Sequence, residues 1–388
     1  MVLNLQQRVY LDFNATAPLR PQARQACIAA LGLIGNASSI HAEGRAARAA
    51  IEAARADVAA LAGSAARFVT FTASGTEAAN MALSPAATIA GAPVERLLIS
   101  AGEHACVLKG HRFPADRVEI APLTPDGLID LAALEAILAR PGGPAMLALQ
   151  AANNETGIIQ PVAAAAALVH KFGGMVVCDA VQLAGRAPCG IADLGADLMF
   201  VSAHKLGGPK GAGALIAASE AVSIGPPLIR GGGQERNLRA GTENVAAIAG
   251  FGAAAKAALA DWQIEAPRLQ ALRDALASAV RDLADDVFIF GENAPRLPNT
   301  LCFVIPGVEA ATLVMALDLA GVAVSSGAAC SSGKVTRSAV LDAMGAPQEL
   351  AAGAIRLSLG WSSVAADVQR FGEALNGLLK RIRRHRAA

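Results

Sequence analysis

Up to about residue 260, apolar positions follow two alternating rhythms. Short apolar runs bounded by Gly, Pro or polar residues predict strands at Arg8 to Phe13, Val69 to Phe71, Leu97 to Ile99, Arg117 to Ile120, Met146 to Leu149, Met175 to Cys178, Leu198 to Val201 and Gly213 to Ala217. Segments of helical period lie between them. In Arg45 to Ala62, the residues Ile51, Ala54, Val58 and Leu61 share one face, and Gly63 follows as a stop signal. Helices are also predicted from Glu77 onward, at Leu131 to Leu138, and at Pro161 to Phe172 with its proline near the first turn. Strands alternating with helices predict an α/β fold on a largely parallel, doubly wound sheet.

Beyond residue 260 the texture changes. Leu269 to Leu283 reads as a long amphipathic helix, followed by strands at Val287 to Phe290 and Leu301 to Ile305 and a helix at Ala310 to Leu319. Val322 to Val324 leads into a loop, Ser325 to Gly333; Ile355 to Leu359 is a strand carrying Arg356, and a helix closes the chain. This predicts a smaller α+β domain. The expected division is a large domain of residues 16–258 and a small one of residues 1–15 and 259–388.

Polar residues recur where the predicted strands end: Gly75 and Thr76, His104, Asn154, Asp179, Gln182, then Ser202, His204 and Lys205. Parallel strands set their carboxyl ends along one edge, so these residues converge on one site. Lys205 has two readings, a snorkelling surface lysine or a Schiff-base lysine for pyridoxal phosphate (PLP). The second needs partners, and the chain offers them. Asp179 could keep a pyridine nitrogen protonated, although a turn or capping role is equally open to it. Gln182 could reach the ring oxygen. Gly75 and Thr76 open a helix whose amides suit a phosphate, with Ser202 and His204 as further donors, although Ser74-Gly75-Thr76-Glu77 also reads as an ordinary cap. His104 is suited to stack on the ring and shuttle protons.

Composition narrows the classes. The chain has 388 residues, 33 basic against 32 acidic, and a net charge of +1, which leaves no global footprint for nucleic acid or membrane. The basic tail Lys380 to Arg386 reads as a solvated helix end. No apolar run is expected to span a bilayer. The first residues lack the segments of a secretory signal, so a cytoplasmic location is the expectation. Cys27, Cys106, Cys178, Cys189, Cys302 and Cys330 are scattered without a Cys-x-x-Cys pair, which argues against zinc and against a disulfide framework. Most of them stand in apolar surroundings; Cys330 stands among Ser and Gly in SSGAACSSG.

The motifs FTASGTEAAN, GEHA, NNETG, CDAVQ, SAHKLGGPKG, GGGQERNLRAGTEN, SSGAACSSG and IRLSLG occur in that order. With YLDFNATAP at Tyr10 they resemble a cysteine desulfurase of the class V aminotransferase family, and the resemblance extends to the C-terminal helix. The SSGxxC loop is similar to that of the nitrogenase and iron–sulfur-assembly group. The resemblance implies the fold-type I PLP-dependent transferase fold, with a mainly parallel seven-stranded sheet in the large domain. It implies Lys205 as the Schiff-base lysine, Asp179 and Gln182 as ring partners, and His104 as the stacking acid/base. Gly75, Thr76, Ser202 and His204 become phosphate binders, joined by Thr242 from the other subunit, which implies a homodimer with shared sites. Asn154, Arg356 and Asn36 fall on the substrate side, with Arg356 as a clamp for the α-carboxylate. Cys330 becomes the nucleophile that takes sulfur from L-cysteine, keeps it as a persulfide and releases alanine. It is also a candidate transient ligand for an iron–sulfur unit held with a scaffold partner.

Two departures from the family pattern stand out. Gly102 precedes Glu103-His104 where relatives often carry Thr. The loop continues as SSGKVTRSAV, where Lys334 and Arg337 replace an acidic-Pro-Ser element and bear on the choice of sulfur acceptor. Other PLP chemistries, such as a selenocysteine lyase or an aminotransferase, need no loop cysteine. A catalytically lost scaffold would lack the lysine, aspartate or cysteine, and all three are present.

Overall fold

The computed structural model describes residues 8–327 and 338–387. Its centre is the seven-stranded sheet, ordered Val69–Thr72, Gly213–Ala217, Leu198–Ser202, Met175–Asp179, Ala145–Gln150, Arg96–Ser100, Val118–Ala121. Pairing is parallel from Leu198–Ser202 across to Val118–Ala121. Gly213–Ala217 alone runs against both its neighbours. The expected mainly parallel α/β sheet is thus present.

The middle strands are buried on both faces, which is why they read as unbroken apolar runs. Alternate residues enter different cores. Leu147, Leu149, Val176, Cys178, Met199 and Val201 pack with helices Ala42–Leu61 and Val162–Lys171 and the first turns of Val245–Leu283. Met146, Ala148, Met175, Val177, Leu198 and Phe200 face the other way, with Ala78, Ala79 and Met81 of the helix Gly75–Ala82. The period of two carries that second face on to Gln150, Asp179 and Ser202 at the strand ends. Three polar side chains are thereby delivered to one side of the sheet at one edge.

A second sheet of four antiparallel strands, Phe288–Ile289, Thr300–Val304, Ile355–Ser358 and Ser325–Ser326 in that order, packs with Ala310–Leu319 and the C-terminal helix Ala365–Ala387. The N-terminal strand Val9–Tyr10 belongs here, parallel to Val322–Ala323.

Three expectations change. The helix predicted at Leu269 begins at Val245 and runs unbroken to Leu283 through Pro267. Its alanine-rich first half is strongly helix-forming but has too weak an apolar contrast to show a period. Ala247, Phe251 and Ala254 enter the large core, while Leu269, Leu276 and Val280 enter the second one, so this one helix contributes to both cores. A window of this helix is also long and apolar enough to cross a membrane, contrary to the sequence expectation, but half of it is buried inside the fold. The third change is at Ser325–Ser326, which is not loop but an edge strand, with Ser325 opposite Arg356.

One connection is strained. Glu235, Arg236 and Asn237 have φ of 46°, 56° and 66°, the left-handed region that costs an L-residue about 1–2 kcal/mol each. Buried Glu235 offsets this by gripping Arg55 with both oxygens, at 2.6 and 2.9 Å, and by accepting the Phe71 amide at 2.8 Å. Glu235→Ala takes away the buried partner of Arg55 and leaves only half-exposed Glu52, at 3.1 Å from Nε. The expected cost is about 3–5 kcal/mol, read as a fall in the thermal or urea midpoint, whereas removing exposed Glu43 beside His41 changes little.

Candidate active site

A cavity of about 450 Å³ opens at the carboxyl ends of the parallel strands. Gly75, Thr76, His104, Asn154, Asp179, Gln182, Ser202, His204 and Lys205 all line it. Residues far apart in the chain meet here because the strands that carry them are neighbours.

Lys205 lies at the end of a single 3-10 turn, Ala203–Lys205, directly after its strand. Its Nζ donates to the Ala15 carbonyl at 2.9 Å and to the Asn14 carbonyl. Asp179 ends the adjacent strand, and its Oδ1 accepts from the Val181 amide at 2.9 Å. Burial raises this carboxyl to about 6, while the Val181 hydrogen bond and the Lys205 charge pull the other way. Gln182 donates through Nε2 to the Asn14 carbonyl at 3.1 Å and accepts from Arg186 at 2.6 Å.

His104 caps the short helix Ala105–Leu108. Its Nδ1 accepts from the Cys106 amide at 3.1 Å, which leaves Nε2 as the nitrogen that carries the proton in the neutral ring. Burial, then the Lys205 charge, holds its pKa below the ordinary imidazole value. His204 has Nδ1 3.2 Å from Thr16 Oγ1, and burial with the charges of Lys205, Lys210 and Arg186 pushes it down to about 4. Both rings are neutral at pH 7.

The helix Gly75–Ala82 begins at a Ser74 cap backed by Glu77. Ser74 Oγ accepts the Glu77 amide at 3.1 Å, and Glu77 reaches back to the Ala73 amide at 2.8 Å. Gly75 and Thr76, between these two, line the cavity. A Cβ at Gly75 would lie 3.2 Å from the Ser202 Cβ, so only glycine leaves this corner open.

Arg356 is buried just behind the lining. It donates to the Asn154 carbonyl at 3.0 Å and to Asp12 at 2.8 Å, and its Nε is buried without a partner. Asn36 and Thr242 are exposed and outside this cavity; Asn36 Oδ1 accepts from the Ser38 amide at 2.8 Å. Cys330, with the rest of the 328–337 segment, lies outside the described residues.

Sequence reasoning missed several neighbours. Asn14, Ala15 and Thr16 hold Lys205, Gln182 and His204, and the only signal was the polar alternation Asp12, Asn14, Thr16 after a short strand. Glu103 is fully buried, accepts the Gln150 amide, and has its other oxygen without a partner. Burial, then the nearby Asp179, keeps its carboxyl far above the usual range. Lys210 also lines the cavity.

An amine, a buried carboxyl, a helix opening with room for an anion and a neutral imidazole share one cavity, and these residues fit PLP. Among the described residues no cluster of His, Cys, Asp or Glu could hold a metal ion.

Residues 9–371 match the family model described as aminotransferase class-V. The chain is 37% identical to "Cysteine desulfurase IscS" of Dictyoglomus turgidum, over 98% of this chain and 96% of that one. It is 40% identical to a cysteine desulfurase of Cereibacter sphaeroides, over 97% of each. The solved structure of a NifS-like protein from Rickettsia africae superposes with a TM-score of 0.87 at 33% identity, covering 96% of this chain and all of that one. With the lysine, aspartate and helix opening gathered at one sheet edge, the chain belongs to the class-V aminotransferase family, among its cysteine desulfurases.

Proposed function

We propose that this chain is a cytoplasmic, homodimeric, PLP-dependent cysteine desulfurase that turns L-cysteine into L-alanine and supplies the sulfur for iron–sulfur cluster assembly. The carrying observation is the shared cavity of Lys205, Asp179 and the Ser74–Gly75–Thr76 helix opening. When bound, PLP supplies an aldehyde for amine exchange and an electron-accepting ring that stabilises the charge left at the α-carbon.

Lys205 Nζ would hold the cofactor, and once freed by amine exchange it could take the α-proton. The Asp179 carboxylate would balance a proton on the ring nitrogen, and Gln182 would be the hydrogen-bond partner of the ring oxygen. Gly75, Thr76, Ser202 and His204 bind the phosphate, with Thr242 of a second copy. Asn154 and Asn36 contact the substrate, and Arg356 binds its carboxylate by exchanging one of its present partners. Neutral His104 can accept the thiol proton. Cys330, as thiolate, takes the sulfur. The balance closes: L-cysteine and the Cys330 thiol give L-alanine and the Cys330 persulfide. The persulfide then passes to a scaffold or another acceptor protein, where Cys330 serves as a transient iron–sulfur ligand.

The dimer reading rests on Thr242, which is exposed and outside its own cavity, and on exposed apolar side chains between residues 28 and 40. Ile34 and Ile40 are each 91% exposed, beside exposed Ile28 and Leu31. Ile34→Asp with Ile40→Asp is expected to shift the protein from dimer to monomer in light scattering and to loosen the cofactor.

The first test of activity follows sulfur. PLP-loaded protein given L-cysteine is expected to release alanine and to gain one sulfur on the Cys330 peptide, read by mass spectrometry. Cys330→Ala is expected to lose both; alanine release unchanged in that variant would sink the assignment. The pH dependence of cofactor uptake tests Asp179. Its raised pKa means that it is anionic above about 6 and neutral below. Uptake by the cofactor-free protein, followed by absorbance, is expected to fall as pH drops through about 6. Asp179→Asn is expected to weaken uptake at least tenfold at neutral pH and to flatten that profile.

A further inference from the structure

Gln182 is held by contacts of opposite polarity at its two carboxamide atoms. Its Nε2 donates to the Asn14 carbonyl at 3.1 Å, and its Oε1 accepts from Arg186 Nη1 at 2.6 Å. A carboxamide turned by half a revolution fills almost the same space with oxygen and nitrogen exchanged. A guanidinium only donates and a carbonyl only accepts, so a turned carboxamide would meet both partners with the wrong atom. Nε2 carries two N–H bonds. Asn14 takes one, which leaves the other for a bound acceptor in the cavity that Gln182 lines.

Arg186 is built to reach this oxygen. Its Nη1 also donates to the Gln182 backbone carbonyl at 2.7 Å, and its Nη2 donates to the Lys205 carbonyl at 3.2 Å. One planar group thus joins two cavity residues that follow different strands of the sheet. The turn that brings Arg186 back over Gln182 passes through Gly185, whose φ is 70°. A Cβ there would also stand 2.7 Å from Ala258 Cβ on the helix Val245–Leu283, closer than side chains pack.

The charges around Arg186 do not account for its place. Arg20 and Glu265 line a void of about 30 Å³ together with Arg186 and Lys205. Glu265 pairs with Arg20 at 3.2 Å, as does Asp261 at 2.8 Å, and Asp12 pairs with Arg356 at 2.8 Å. Arg186 instead donates to carbonyl oxygens. Burial, then the like charges of Arg356 and Arg20, lowers its pKa to about 10, so it stays cationic at neutral pH. A cation kept against burial and two like charges implies a use for its donor fork.

We propose that Arg186 is a positioning residue for the cofactor: it fixes the Gln182 carboxamide with Nε2 toward the cavity, so that the PLP ring oxygen meets a donor. The proposal rests on the PLP reading of the cavity. A donor at the ring oxygen favours its anionic form and draws it away from the neighbouring Schiff-base proton, so the Schiff base on Lys205 gives up that proton at lower pH. Arg186 acts through Gln182 and does not itself line the cavity.

The test titrates the Schiff base by absorbance in PLP-loaded full-length protein without substrate, since its protonated form absorbs at longer wavelength. Arg186→Met is expected to raise the midpoint by about one pH unit, with cofactor content within twofold of the native protein. Gln182→Ala is expected to raise it by as much or more, and adding Arg186→Met to Gln182→Ala should raise it no further. Arg186→Lys keeps a cationic donor and should titrate closer to the native protein than to Arg186→Met. An unchanged midpoint in Arg186→Met would overturn the proposal. So would shifts that add in the double variant, which would assign Arg186 to its charge alone. Should Arg186→Met retain no cofactor, Arg186→Lys decides: a midpoint nearer to native than that of Gln182→Ala upholds the proposal, and one at or above Gln182→Ala overturns it. A native protein in which borohydride reduction and mass spectrometry find no PLP on Lys205 would overturn the cofactor reading itself, and the proposal with it.

Discussion

The site depends on the hydrogen bonding of one buried asparagine. Asn14 accepts through its carbonyl from Lys205 and Gln182, each just past the end of a strand of the large sheet. Through Nδ2 it donates to the Asn154 carbonyl and to Thr300 Oγ1, its Oδ1 accepts from Asn299, and its amide donates to Ser358 Oγ. Thr300 and Ser358 lie on the small sheet, so one residue ties the cavity wall to both cores. Each bond contributes only about 1 kcal/mol net, but a buried donor or acceptor left unmatched costs about 1–3 kcal/mol. The network is therefore held as a unit. The segment from Val9 to Thr16 is docked through it between the two sheets, and Lys205 has a defined resting position.

Burial then sets the charges. Asp179 and Glu103 are shifted upward, His104 and His204 downward, each toward its neutral form. Lys205 is the shared influence: it lowers Asp179, opposing burial there, and it adds to burial at both histidines. At neutral pH this leaves Asp179 anionic and both imidazoles neutral, the states that a ring-nitrogen partner and a thiol-proton acceptor need. Glu103 is pushed well above the ordinary carboxylate range, first by burial and then by the nearby Asp179.

Much of the fold was legible because the central strands are covered on both faces. That burial makes them continuous apolar runs, which are visible without an alignment. Asp179, Ser202 and Lys205 were legible because they stand where such runs stop. The helix Val245–Leu283 was only half legible, since its alanine-rich turns carry propensity without a pattern. Ser325–Ser326 looked like loop because a two-residue edge strand of serines has no sequence signal apart from its partner Arg356. Asn14, Glu103 and Gln150 escaped for one reason. Their importance lies in partners far along the chain, such as Ser358 for Asn14 and Gln150 for Glu103.

The sequence alone therefore determined the α/β class, the order of the elements and the residue types at the strand ends, because burial and backbone period act locally. Tertiary structure decided which of those residues share a cavity, which hydrogen bonds hold them and which protonation states they take. It also separated Arg356, Asn36 and Thr242 from the cavity lining. Those outcomes depend on contacts between segments tens to hundreds of residues apart and on the loss of water around them, neither of which is encoded in any local stretch.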